Sequence, residues 1–344
     1  MVSKKETGSK LFINPADDPK CVTAVGEPCH IECGTTPAAE VADAIADADT
    51  ADGVFGERFS PNLNVRHLLA TNQIERLQLQ RYMTSDEVSK RRHEYVDASF
   101  IHHKVTKDTV GYDGDAVAFV YFTPATARIP ASDMCLAESG LAQLDWNSTD
   151  ESRRSALRGS GGWEMQFGWI EQCGVHQFVP TYKQADQYKK IWPLITRMDG
   201  TLARALPRTL RNQLLLQRGT GFSLSATDTS TISSITCLKN APSSLHLDGN
   251  NAEAGMVVMA TAGDYVGGEF VLVEFGVEIA IPPGGILIAA THRYWHGNFK
   301  TVRGLRYSVL GYFREGLRGK TALPVKVNGP DLPFTKHAGG GSDE

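Results

Sequence analysis

The sequence predicts an α+β protein: a double-sheet jelly-roll core with flanking helices. Two observations carry this. After residue 220 the chain breaks into short β-branched or aromatic segments separated by Gly, Pro and Asn, among them ISSITCLK, GMVVMAT, GEFVLVEF, VEIAI, GILIAA and RYSVLGYF. Several alternate with period two, and the gaps leave little room for crossover helices, which excludes a doubly wound sheet and suits a closed β structure. Before residue 220 lie two stretches of helical periodicity, around 62–92 and 183–218. With 41% hydrophobic and 22% charged residues in 344, a packed core is expected. No Walker-type or dinucleotide-type glycine loop leads into a helix.

Along the chain, residues 1–57 form an acidic segment expected to be poorly ordered. Residues 17–57 carry ten acidic side chains against one lysine, so a chain of net charge −4 has a basic remainder. Cys21, Cys29, His30 and Cys33 fit no C-x2-C spacing, and their plainest reading is ordinary thiols and an ordinary imidazole. The six cysteines are too few for a disulfide scaffold, which fits a reducing compartment. No apolar region follows the lysines of MVSKKETGSK, and no run of about 18 apolar residues occurs, so neither a secretory signal nor a membrane span is expected.

One domain is expected over 58–318, with helical and strand support over 58–220, a β core over 221–318 and a tail at 319–344. Within the support, Val65, Leu68, Leu69, Ile74, Leu77 and Leu79 recur at helical spacing. AVAFVYF (116–122) reads as a strand after the turn-like GYDGD, and Pro130 opens a helix through Leu144. A polar loop with Arg153, Arg154 and Arg158 precedes GSGG. The helical 183–218 stretch, interrupted by Pro193 and Pro207, is rich in Lys and Arg, and reads either as a solvated helical face or as a surface for phosphates.

The chemistry concentrates in the β region. In SSLHLDGNN, His246 and Asp248 stand two residues apart, so on a strand both project from one face. Fifty residues on, RYWHGNF places His296 just beyond the strand GILIAA. Two imidazoles and one carboxylate on neighbouring strands make a 2-His-1-carboxylate set, the ligand type of non-haem Fe(II) oxygenases, which leaves one face of the metal open. His292 is the rival for the distal ligand. Ten residues after His296 come Arg306 and Ser308, on one face of the last strand. An inward guanidinium beside a hydroxyl is shaped to grip a carboxylate, and without an anion its burial is costly; 2-oxoglutarate is the natural candidate. Arg303 is the alternative, although it adjoins the turn at Gly304. Asn240 is a further candidate for contact with the co-substrate. Cys237 is read as a buried thiol.

The set H-x-D, about fifty residues, H, ten residues, R-x-S, with GGEF between and PPGG before the final strands, resembles the Fe(II)/2-oxoglutarate-dependent dioxygenases over about residues 230–315. The resemblance implies a double-stranded β-helix, iron on His246, Asp248 and His296, and 2-oxoglutarate on Arg306 and Ser308. It also implies O2-dependent oxidation of a C–H bond coupled to decarboxylation of the co-substrate to succinate. The compact H-x-D segment and the RYSVLGYFRE ending are most similar to the TET/JBP group, which oxidises the 5-methyl group of pyrimidines in DNA. By position in that group, Asn251 and Arg314 would approach the base, although Asn stands where Asp occurs and Arg where His occurs. Arg306 and Ser308 favour 2-oxoglutarate over the ascorbate used by one algal branch.

A base within a duplex must be flipped out to react, which requires phosphate contacts and aromatic or apolar walls. The cationic side chains of 153–158 and 183–218 are candidates for the first. Tyr294 and Trp295, which adjoin a proposed ligand, and Phe299 and Trp163 are candidates for the second. The expected reading is therefore an oxygenase acting on 5-methylcytosine in methylated DNA, with nuclear residence following only from that substrate. The alternatives are the same chemistry on a protein side chain, RNA or a small molecule, the ascorbate variant, and a non-catalytic jelly-roll binding module.

Overall fold

The computed structural model describes residues 63–146, 162–172, 175–179, 185–206, 232–249, 251–252 and 255–317. The acidic segment with its Cys21–Cys33 cluster, Arg153, Arg154, Arg158, Lys183, Arg208, Arg211, Arg218, the segment SLSATDTS and the tail lie outside the described residues. In chain order the helices are α1 (Val65–Ala70), α2 (Ser85–Lys90), α3 (Pro124–Ala127), α4 (Ala131–Ala142) and α5 (Ala185–Ala205). The strands preceding α5 are β1 (Glu75–Gln78), β2 (His103–Val105), β3 (Thr109–Asp113), β4 (Ala116–Phe122), β5 (Trp163–Gln172) and β6 (Val175–Val179). Those following it are β7 (Ser234–Lys239), β8 (Ser243–His246), β9 (Val257–Ala262), β10 (Tyr265–Gly267), β11 (Phe270–Leu272) and β12 (Val277–Ile279), then β13 (Ile286–Ala289), β14 (His296–Asn298), β15 (Thr301–Gly304) and β16 (Tyr307–Tyr312).

The described strands form a large sheet in the order β1-β3-β4-β13-β9-β16-β7-β5-β6 and a small sheet in the order β2-β12-β11-β14-β8, with a β10–β15 ribbon apart. The interleaving of late strands between the sheets (β13, β9 and β16 in one, β12, β11 and β14 in the other) is the jelly-roll pattern expected from the sequence. Every residue of β9 and β13 is buried, which is why GMVVMAT and GILIAA read as continuous apolar runs rather than alternating ones.

Helix α5 packs against α4 and the backs of β9 and β16. Its buried residues Tyr188, Ile191, Leu194, Ile195, Met198, Leu202 and Ala205 recur at three-to-four spacing, one stripe facing the core. Each large apolar side chain so buried contributes about 1.5–3 kcal/mol. Pro193 sits inside this helix without ending it, and α5 stops two residues before Pro207, where the residue preceding a proline is pushed out of helical geometry.

The helical periodicity over 62–92 corresponds to two six-residue helices with β1 between them. Leu77 belongs to a strand with alternating burial, paired parallel to β3. Asn64 caps α1 by accepting from the Arg66 and His67 N–H groups, and Thr84 and Glu87 form a reciprocal capping box on α2. The cations of α5 are largely engaged within the fold. Arg197 pairs with Asp133 of α4 at 3.0 Å, Lys190 donates to Gln143, and Lys189 approaches Asp186. Among the described residues, no helix is long and apolar enough to cross a membrane.

Candidate active site

Strands β8 and β14 pair antiparallel, with His246 directly opposite His296. Cross-strand partners lie within side-chain reach, and the two imidazole centroids are 4.2 Å apart. Asp248, two residues beyond His246, is fixed by its backbone N–H donating to the Thr291 carbonyl at 3.1 Å. Its carboxylate lies 3.5 Å from His246 Nε2 and 3.7 Å from His296 Nε2. One ligating atom from each of the three residues falls within 4.8 Å of the others. His292, the rival for the distal position, is outside this cluster and outside the cavity lining.

The surroundings orient the three groups. His246 Nδ1 meets the Ser244 carbonyl at 2.7 Å, and His296 Nδ1 meets the Tyr294 carbonyl at 3.1 Å. A carbonyl only accepts, so each Nδ1 carries a hydrogen and each ring turns its Nε2 toward the shared centre. Asn251 Nδ2 donates to Asp248 Oδ2 at 3.2 Å and to Thr291 Oγ1 at 3.3 Å. Burial opposes ionisation of Asp248, but the two imidazoles and the Thr291 hydroxyl outweigh it and hold the carboxyl well below the usual carboxylate range.

The triad opens into a cavity of about 170 Å³ between the sheets, whose wall on the large sheet includes Arg306 and Ser308. Arg306 is 3% exposed and Ser308 is fully buried. Among the described residues, Arg306 Nε and Ser308 Oγ have no hydrogen-bond partner. Burial disfavours the charged guanidinium, partly offset by nearby Tyr265 and Glu269. A buried arginine donor and a buried hydroxyl left open on one wall suit an anionic oxygen ligand. Gly268, at φ +80°, makes room for this side chain: a Cβ there would stand 2.6 Å from Arg306 Cδ. Arg303, by contrast, lies exposed on β15.

The other residues singled out in the sequence fall elsewhere. Asn240 does not line the cavity. Sitting at φ +46°, it accepts the Arg306 N–H at 2.7 Å and donates to the Gly304 carbonyl, so it holds the loop that delivers Arg306. Tyr294 is buried in the main core with its hydroxyl on Asp113, and Trp295 packs on a small apolar cluster behind the small sheet and donates to Ser85. Neither touches the cavity; a residue beside His296 on a strand points to the opposite face, and Tyr294 belongs to the turn before the strand. Phe299 joins the same cluster, and Trp163 stacks under Lys239. Asn251 and Arg314 do line the cavity and form an isolated antiparallel bridge with each other. Cys237 is buried, and burial pushes its thiol up.

Three cavity residues, Glu164, Gln166 and Thr236, carry no local sequence signal, whereas Phe270 closes the GGEF segment. Phe270 stacks near His296 at 5.3 Å. The others come from strands joined only by the register β5–β7–β16.

Residues 189–311 match the family described as the CMD1/TET dioxygenase C-terminal domain, and that segment holds His246, Asp248, His296, Arg306 and Ser308. Over that segment the chain is similar to the CMD1/TET dioxygenases. The His246, Asp248 and His296 donor set fits Fe(II), and the open Arg306 and Ser308 atoms fit the carboxylate of a co-substrate such as 2-oxoglutarate. Among solved structures, NgTET1 in complex with 5mC DNA is similar with a TM-score of 0.52 and 15% identity, over 76% of this chain and 91% of that one. A 2OG-Fe(II) oxygenase family oxidoreductase from Burkholderia pseudomallei is similar with a TM-score of 0.38 and 14% identity, over 60% and 88% of the two chains. At these identities the likeness to NgTET1 is one of fold. No curated protein matches the sequence.

Proposed function

We propose that this enzyme oxidises the methyl group of 5-methylcytosine in DNA. His246, Asp248 and His296 hold Fe(II), and Arg306 with Ser308 grips the distal carboxylate of 2-oxoglutarate. The observation that carries the substrate reading is the composition of the cavity beyond the triad. Its far wall bears Glu164, Gln166, Thr236, Tyr312 and Arg314, a polar, hydrogen-bonding surface rather than the apolar slot an aliphatic substrate requires. The fold shared with NgTET1, which was solved with 5mC DNA, supports the same reading.

The bound iron and co-substrate supply the oxidising power toward a C–H bond. The protein's residues position and shield. Asn251 and Thr291 orient the Asp248 carboxylate. The Ser244 and Tyr294 carbonyls fix the two rings. Leu238, Met259, Leu287 and Phe270 give the cavity apolar walls that limit water near the reacting carbon.

The test is mass spectrometry of nucleosides released from methylated DNA after incubation with protein, Fe(II) and 2-oxoglutarate. An oxidised 5-methylcytosine product that forms with succinate, and only with both additions, is expected. Succinate production stimulated by a peptide, RNA or small molecule, with methylated DNA left unchanged, contradicts it.

A further inference from the structure

We propose that Glu274 is a positioning residue for the metal, acting on His296 through a single peptide group and making it the more strongly donating of the two imidazoles. This rests on the metal-holding role given above to His246, Asp248 and His296, and it is independent of the substrate.

The peptide joining Tyr294 to Trp295 is bonded at both ends. Its N–H, on Trp295, donates to Glu274 Oε2 at 2.9 Å. Its carbonyl, on Tyr294, accepts from His296 Nδ1 at 3.1 Å. Carboxylate, amide and imidazole therefore form one relay that ends at the His296 Nε2 facing Asp248. The register builds it: Leu272 of β11 pairs with His296 of β14, so Glu274, two residues on, comes level with Tyr294, two residues back. The Val273 N–H donates to the Trp295 carbonyl at 3.0 Å and holds the two segments together. Glu274 is 1% exposed and His296 5% exposed, so little solvent screens the relay.

His246 supplies the contrast within the same site. Its Nδ1 donates to the Ser244 carbonyl at 2.7 Å, and the N–H of that peptide, on Leu245, donates to the Glu94 backbone carbonyl at 3.0 Å. The two imidazoles thus share one relay pattern, ended by a neutral carbonyl for His246 and by a carboxylate for His296. A carboxylate that accepts an N–H polarises the peptide, makes its carbonyl oxygen more negative and strengthens the pull on the Nδ1 hydrogen. Electron density displaced toward Nε2 makes that nitrogen the better donor to a cation, as a carboxylate bonded directly to a ligand histidine does. Arg81 moderates the effect, since its Nη1 lies 2.6 Å from Glu274 Oε1. The Glu274 backbone is held separately, its carbonyl accepting the Tyr82 N–H at 2.8 Å, so exchanging the side chain leaves the turn tied.

The experiment loads the wild type, Glu274→Gln and Arg81→Met with Zn(II), a diamagnetic ion that takes the same nitrogen and oxygen donors. The two Nδ1–H proton resonances are read by NMR in histidine-labelled protein above neutral pH. Glu274→Gln keeps an oxygen for the Trp295 N–H but removes the charge. It should move the His296 resonance to higher field, leave that of His246 in place, and weaken Fe(II) binding about tenfold in a calorimetric titration. Arg81→Met strips the counter-charge from Glu274 and should move the His296 resonance the other way; it decides the matter if Glu274→Gln does not fold. The proposal is overturned, and the triad left as the metal site, by a His296 resonance that stays in place or moves in step with that of His246. Shifts in the same direction in both variants, or an Fe(II) affinity unchanged in Glu274→Gln, overturn it equally. A wild type that takes up neither ion overturns the metal site as well.

Discussion

At the scale of single residues, the proposed chemistry depends on two imidazoles facing each other across a strand pair and on one carboxylate two residues past the first. His296→Ala is expected to abolish Fe(II)-dependent succinate formation while the fold survives, whereas His292→Ala should retain it. Succinate assays with melting curves on both variants check this; loss in His292→Ala alone would reassign the ligand. Arg306→Lys replaces a planar fork with a point charge. Its KM for 2-oxoglutarate should rise about tenfold, and an unchanged KM would remove Arg306 from the co-substrate site. These residues were legible because H-x-D and R-x-S report strand alternation, so a spacing of two already says that both side chains share a face. The same rule shows why Trp295 is a poor candidate for a cavity wall: its distance of one residue from His296 sends it to the other side. Glu164 and Gln166 were not legible, since only the β5–β7–β16 register carries them to the cavity.

At the scale of elements, turns deliver the ligands. The β10–β15 ribbon and the loop after it present Arg306, with Asn240 latching its backbone and Gly268 leaving space for its side chain. Gly268→Ala combines a positive φ with a contact 2.6 Å from Arg306 Cδ. It should raise the 2-oxoglutarate KM several-fold and leave Fe(II) affinity unchanged, as paired calorimetric titrations would show; parallel losses in both would mean a general unfolding. Ahead of His296, buried Glu274 accepts the Trp295 N–H at 2.9 Å and the Arg81 guanidinium at 2.6 Å. Glu274→Gln should cost about 1–3 kcal/mol, read by denaturant unfolding, because a charge-assisted bond is lost in a buried place. Helix periodicity misread Leu77 because a four-residue strand between two short helices offers too few residues to show its own period. β9 and β13 are legible despite their shortness because every residue in them is buried and the runs are continuously apolar.

At the scale of the molecule, the two sheets keep different tasks apart: the small one carries the triad, while the large one carries the Arg306 wall and the polar far wall. If DNA is the substrate, apparent affinity should fall steeply with salt, log K against log [salt] having a slope near −0.9 for each phosphate contacted in duplex DNA. A flat dependence would favour a small or uncharged substrate. The triad's role as the metal site is tested by an anaerobic calorimetric titration of Fe(II) into the wild type and Asp248→Ala. About one Fe(II) per chain is expected for the wild type, with at least a tenfold weaker affinity for the variant. Equal affinity in the two proteins would place the metal elsewhere and contradict that role.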